Sequence, residues 1–160
     1  MVDLPDFHIP HAEKIEWMIE TAGWAIEPVS PNASTNPPTP GYCYTIGVPA
    51  LTGFAELAIF GLTPVAAKGL LDLVIDALQG GTDIPVGVEL VGLLDNDLRC
   101  SFLSVDVAQY PGWFSTAAAW YRGASFDMVQ LLWPDRNGFL PTEVGYAQNM
   151  RLAQPVFGAV

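Results

Sequence analysis

The sequence predicts a single α+β domain: a mainly antiparallel sheet, open or curled into a partial barrel, with about three helices packed on one face. Three observations predict it. Stretches with a helical apolar period are interspersed with short runs rich in aromatic and β-branched residues. Several of those runs are joined by links too short to cross over to a parallel neighbour, which favours antiparallel pairing. The chain has 160 residues, 51% of them hydrophobic and 14% charged, a size and composition that suit one core. A chain this apolar does not remain disordered.

Residues 10–22 form the first predicted helix. Ile15, Met18 and Ile19 fall at i, i+3 and i+4, the acids Glu13, Glu16 and Glu20 with Lys14 supply the wet face, and Gly23 is the stop. Residues 24–29 alternate and read as a strand. Pro31, Pro37, Pro38 and Pro40 mark residues 30–41 as a loop expected to stay mobile. Residues 42–48 read as a strand, Pro49 and Gly53 mark a loop, and residues 57–60 read as a short strand closed by Gly61. Thr63-Pro64 places a capping hydroxyl before proline at the first helical position, so a second helix runs to about Leu78 and stops at Gly80-Gly81. Residues 88–94 and 99–107 read as strands joined through the turn residues Asp95-Asn96-Asp97. Pro111 opens a third helix over residues 112–122, with Gly123 as its stop. Residues 128–133 read as a strand, and residues 134–138 as a turn around Asn137-Gly138. The predicted domain spans residues 1–160 with its core at about 10–145, and the aperiodic tail 146–160 is expected to fray or to dock on a partner.

Seventeen acids against six bases give a net charge of -11, which argues against nucleic acid and anionic membrane as partners. Residues 1–6 carry neither a basic nor an apolar lead, and the uncharged stretches 28–55 and 107–121 contain prolines. A soluble, cytoplasmic protein with no secretory signal and no membrane span is therefore expected. In that compartment Cys43 and Cys100 are expected to be buried free thiols. Trp113, Phe114, Trp120 and Tyr121 outnumber what one buried helix stripe requires, so a homo-oligomer is expected, with some of these rings facing a partner copy or a ligand.

The motifs exclude more chemistry than they support. His8 and His11 stand three apart, but Pro10 between them breaks the helical geometry, so no metal site is expected. Trp133-Pro134-Asp135 spells the acid loop of tyrosine phosphatases, yet Pro49 and Asp106 stand six residues after the two cysteines, where those enzymes need arginine. The chain has no Gly-x-Ser-x-Gly elbow and no phosphate-cradling glycine motif, and no cofactor is expected. Glu56 stands alone at the entrance of an apolar strand, either exposed or held by donors from a neighbour such as Arg99, Arg122 or Arg136. Tyr44 and Thr45 alternate across their strand, so only one can face a given pocket.

Three segments in order carry a resemblance: Tyr44-Thr45-Ile46-Gly47-Val48, then Glu56-Leu57-Ala58-Ile59-Phe60-Gly61-Leu62, then Gln130-Leu131-Leu132-Trp133-Pro134-Asp135. Together they resemble a family of uncharacterised bacterial domains catalogued as domain of unknown function 4262. The resemblance spans about residues 23–145 and departs at Ala55, where the family has proline, and at Thr142, where it commonly has tryptophan. It brings no reaction with it. It implies that Tyr44, Thr45, Gly47, Glu56, Gln130, Trp133 and Asp135 lie close together.

Read physically, Asp135 can cap its own turn and Trp133 can close over the core. Thr45, Glu56 and Gln130 lie inside apolar strands, and each needs a hydrogen-bond partner if buried. A shared cluster of the three would be an internal network or the polar floor of a pocket. The candidate ligand-binding residues are therefore Tyr44, Thr45, Glu56, Gln130, Trp133 and Asp135. The expected function is a non-catalytic module for a small molecule or a protein. One alternative is a hydrolase-like enzyme with Glu56 or Asp135 as general acid or base. Another is a structural or immunity-type interaction protein whose acidic surface meets a basic partner.

Overall fold

The computed structural model describes residues 10–94 and 97–159. Its elements run in the order α1 (His11–Ala22), β1 (Ala25–Val29), β2 (Tyr42–Ile46), α2 (Val48–Thr52), β3 (Glu56–Phe60), α3 (Pro64–Gln79), β4 (Glu89–Val91), β5 (Arg99–Val105), α4 (Ser115–Trp120) and β6 (Met128–Leu132). The six strands form one sheet in the order β1-β2-β3-β6-β5-β4. Every neighbouring pair is antiparallel except β3 and β6, which run parallel with Glu56 opposite Met128.

The sheet is open, so the partial barrel does not form. Its two edges are β1 and β4. β1 contains Pro28, which cannot donate to a further strand, and β4 is only three residues long. The helices also cover both faces, not one. All five positions of β2, β3 and β6 are buried, and strands buried on both sides need cover on both sides. α3 lays Leu71, Val74 and Ile75 over Leu57, Ile59, Val129 and Leu131. On the opposite face Ile15 of α1 and Ala117 of α4, with Phe114, cover Tyr44, Ala58, Phe60 and Met128.

Local signals explain most element ends. Thr63 Oγ1 accepts from the Ala66 N–H at 3.3 Å, capping α3 as the Thr-Pro pair predicts. The predicted loop after β2 is instead the short helix α2, bounded by Gly47 and Gly53, both at positive φ, with proline in its first turn. The third predicted helix shortens to α4 because Gly112, at φ +84, turns the chain before it. β4 ends early at Gly92, φ +94. The Asp95-Asn96 part of the predicted turn, like His8, lies outside the described residues. Segment 30–41 is a hairpin arm in which Asn32 and Thr39 exchange backbone hydrogen bonds, with Ser34 bound to the Asn32 side chain.

The described residues after Gly145 do not fray. They fold back on the chain's own sheet, where Tyr146 and Gln154 are buried and Ala159 bridges to Ser104 of β5. The segment lacks a period because side-chain hydrogen bonds, rather than a continuous apolar face, hold it there.

Candidate functional site

The six predicted residues fall into separate places. Glu56 opens β3 and is fully buried. Its Oε1 accepts from the Thr45 hydroxyl (2.7 Å) and the Val48 N–H (3.2 Å). Its Oε2 accepts from the Gly47 N–H (2.8 Å) and the Tyr121 hydroxyl (2.5 Å). Thr45 Oγ1 in turn accepts from the Leu57 N–H at 2.8 Å. The donors expected from an arginine are thus hydroxyls and backbone amides. Gly47 can present its N–H because φ is +104, and a Cβ there would press on Ile19 and the Gly23 carbonyl. Burial pushes the Glu56 carboxyl above the ordinary range, and the Tyr121, Thr45, Gly47 and Val48 donors only partly offset it. Burial, with the Glu56 hydrogen bond second, also raises the Tyr121 hydroxyl. Tyr121, whose hydroxyl holds Glu56, also lines a small cleft of about 300 Å³ with Pro49, Phe54 and Phe126.

Gln130 shares no cluster with Thr45 and Glu56. It faces the C-terminal segment, where Oε1 accepts from the Phe157 (2.7 Å) and Gly158 (3.0 Å) N–H groups and Nε2 donates to the Pro155 carbonyl (2.7 Å). Trp133 donates its ring N–H to the Phe60 carbonyl at 2.8 Å, and its backbone N–H to Gln154 Oε1 at 3.0 Å. Asp135 caps its own turn by accepting from the Asn137, Phe139 and Ala147 N–H groups. Burial pushes this carboxyl up, but the backbone donors of Ala147, Phe139, Asn137 and Gly138 outweigh it and the net shift is downward. Tyr44 lies on the other face of β2 from Thr45, and its hydroxyl accepts from the Thr116 N–H at 3.1 Å. Cys43 and Cys100 are buried and unbridged, and burial pushes both thiols up to about 11.

The Tyr44 contact leads to a cleft that the sequence did not single out. It lies between α1 and α4 and encloses about 520 Å³, within the range of small-molecule sites. Ala12, Ile15, Ala119 and Trp120 form its apolar wall, while His11, Glu16, Ser115, Thr116 and Arg122 bring polar groups. Glu27 of β1 ties the two helices together. This carboxylate is only 7% exposed, and its Oε2 accepts from His11 Nε2 at 2.6 Å and from the Thr116 hydroxyl. Cleft-lining side chains of α1 and α4 therefore share one buried carboxyl group on the sheet. Glu27 was as legible as Glu56, being a lone carboxylate between Ile26 and Pro28 in an apolar strand. Its partners were not, because Thr116 is 89 residues away.

Among the described residues, no helix is long and apolar enough to cross a membrane. No curated protein and no solved structure matches the chain. A family model described as domain of unknown function DUF4262 does match, over residues 18–147, from α1 through the Asp135 turn. With that much of its length covered, and with the Glu56 and Asp135 segments inside the match, the chain belongs to the DUF4262 family.

Proposed function

We propose that this domain is a non-catalytic binding module and that the cleft between α1 and α4 holds its small-molecule ligand. One observation carries the reading: a buried carboxylate, Glu27, is shared by His11 and Thr116, two cleft-lining side chains from different helices. By contrast, Asp135 and Gln130 spend their polar atoms on the chain's own backbone, and Glu56 spends its own on local amides and hydroxyls. Tyr44 belongs to the site as a positioning residue, since its hydroxyl holds the Thr116 N–H.

The test is a small-molecule panel titrated into the purified protein, followed by Trp120 fluorescence and by backbone amide shifts. Ligands of the cleft shift Ile15, Thr116 and Ala119 together. Ala119→Trp fills the space and removes those shifts without lowering the melting temperature. Ligand shifts confined to other surfaces, or turnover of the bound molecule, would overturn the reading.

A second reading has its own support. The Glu56 carboxyl is bound by Tyr121, a residue that lines the 300 Å³ cleft, and a carboxyl coupled to a cleft residue suits acid-base hydrolysis. Full retention of a detected hydrolase activity in Glu56→Gln would remove it. The net charge of -11 supports a basic protein partner, which a salt series on any captured complex checks. Exposed Trp17, Val144 and Leu152 support self-association, which sedimentation measures directly.

A further inference from the structure

Arg122 is an exposed cleft residue whose backbone is out of the ordinary. It follows the last turn of α4 with φ +53, a left-handed conformation that glycine adopts more easily, as Gly123 does beside it at φ +80. A residue kept there at a conformational cost invites a reason in its side chain. In a chain with 17 acids and 6 bases, a guanidinium has many carboxylates to choose from. Arg99 takes two of them, Glu89 at 3.0 Å and Glu143 at 2.6 Å. Arg151 donates to the Pro141 and Glu143 carbonyls. Among the described residues neither the Arg122 nor the Arg136 guanidinium has an ion pair or a hydrogen bond, and of the two only Arg122 lines the cleft, beside Ala119 and Trp120.

The other charges at the cleft narrow what it can take. The Glu27 carboxylate already serves His11 and Thr116. Glu16 also lines the cleft and opposes a second negative charge. Of the rest of the lining Ser115 is polar, and Ala12, Ile15, Ala119 and Trp120 are apolar. Resting on the cleft reading above, we propose that Arg122 anchors a small monocarboxylate whose ring-sized apolar body lies against Ile15, Ala119 and Trp120. The guanidinium fork matches the two carboxylate oxygens, and the open apolar wall takes the ring.

The test uses the full chain and matched pairs of probes, phenylacetate against phenylacetamide and indole-3-acetate against indole-3-acetamide. Affinity is measured by calorimetry, and location by amide shifts at Ile15 and Ala119. Each acid binds at least about tenfold more tightly than its amide, and that preference shrinks as salt rises. Arg122→Gln and Arg122→Gly both abolish the preference. Arg122→Gly in addition melts no lower than the native protein, because glycine suits the left-handed turn, so loss of binding there is not loss of fold. Equal binding of acid and amide in the cleft, or an acid preference that survives both variants, overturns the carboxylate assignment and leaves the cleft reading standing. Absence of shifts at the cleft with all four probes overturns the assignment too. Shifts from the wider panel then decide the cleft reading separately.

Discussion

Glu56 and Glu27 are both strand carboxylates that the fold takes out of water, and they are satisfied in opposite ways. Around Glu56, three of the four donors lie within eleven residues of it, and two of those are backbone amides of the turn into α2. Around Glu27, the partners are side chains sixteen and eighty-nine residues away, on helices that meet only in the finished fold. The first carboxylate builds its own surroundings. The second joins elements that would otherwise be independent, and a cleft opens beside the joint. A buried polar group held by nearby backbone is satisfied as its turn forms, whereas one held by distant side chains is satisfied only in the assembled fold.

The sharpest way to break that contrast is Glu56→Leu. It strands the Gly47 and Val48 N–H groups and two hydroxyls, so it costs about 3–5 kcal/mol, read as a lower urea midpoint at an unchanged m-value. A loss under about 1 kcal/mol would mean that the turn into α2 holds without its carboxylate. Tyr121→Phe removes one donor of four and leaves the amides in place, so about 1–2 kcal/mol is expected from the same measurement. Glu27→Gln keeps an acceptor for His11 and Thr116 and costs about 1 kcal/mol or less in stability. Its larger effect is on the α1–α4 cleft, where amide shifts of Ile15 and Ala119 should move while those of Gly47 and Val48 stay. If Glu27→Gln unfolds the protein as Glu56→Leu does, the two carboxylates are alike and the contrast fails.

The smallest effect is a pH dependence. Glu56 has a raised folded pKa, so the folded protein holds its proton more firmly than the unfolded chain does. Its contribution is fully present below the ordinary carboxyl range and is lost as pH rises through the raised folded value. Asp135 and Glu143 are lowered, so their contributions are present above the ordinary range and are lost as pH falls. The stability difference between native protein and Glu56→Gln, followed from pH 4 to 8, isolates the first effect. It should move against the native protein as pH rises. A difference that moves the other way would mean that the four donors outweigh burial.

Much of this was legible where the signal is local. Thr63-Pro64 announced the start of α3, Gly23 the end of α1, and the apolar runs at 42–48, 57–60 and 128–133 the strands β2, β3 and β6 to within two residues. Asp135 as the cap of its own turn and Thr45 beside Glu56 follow from residues close in the chain. The parallel step from β3 to β6 did not, because no short-range pattern names a strand's neighbour seventy residues away. Gln130 asked for partners and found them in a segment with no period of its own, through backbone N–H groups that every residue but proline carries. The cleft was hidden for the same reason, since its lining comes from α1 and from α4 with Arg122, far apart in the chain, and only the assembled sheet, through Glu27 of β1, brings them together.

The parallel pairing of β3 with β6 also sets the order in which the molecule can be completed. β1, β2 and β3 lie side by side and follow one another in the chain, and β4 and β5 pair through a short connection, so both groups can assemble early. β6 fills the gap between them and is the last strand to leave the ribosome. Until residues 128–132 emerge, the buried edges at Leu57 and Phe102 have no neighbour, and two half-sheets present open, apolar edges of the kind that seed aggregation. The middle of this sheet is its last piece, so a chain stopped a few residues short of Met128 should be an insoluble product rather than a smaller domain.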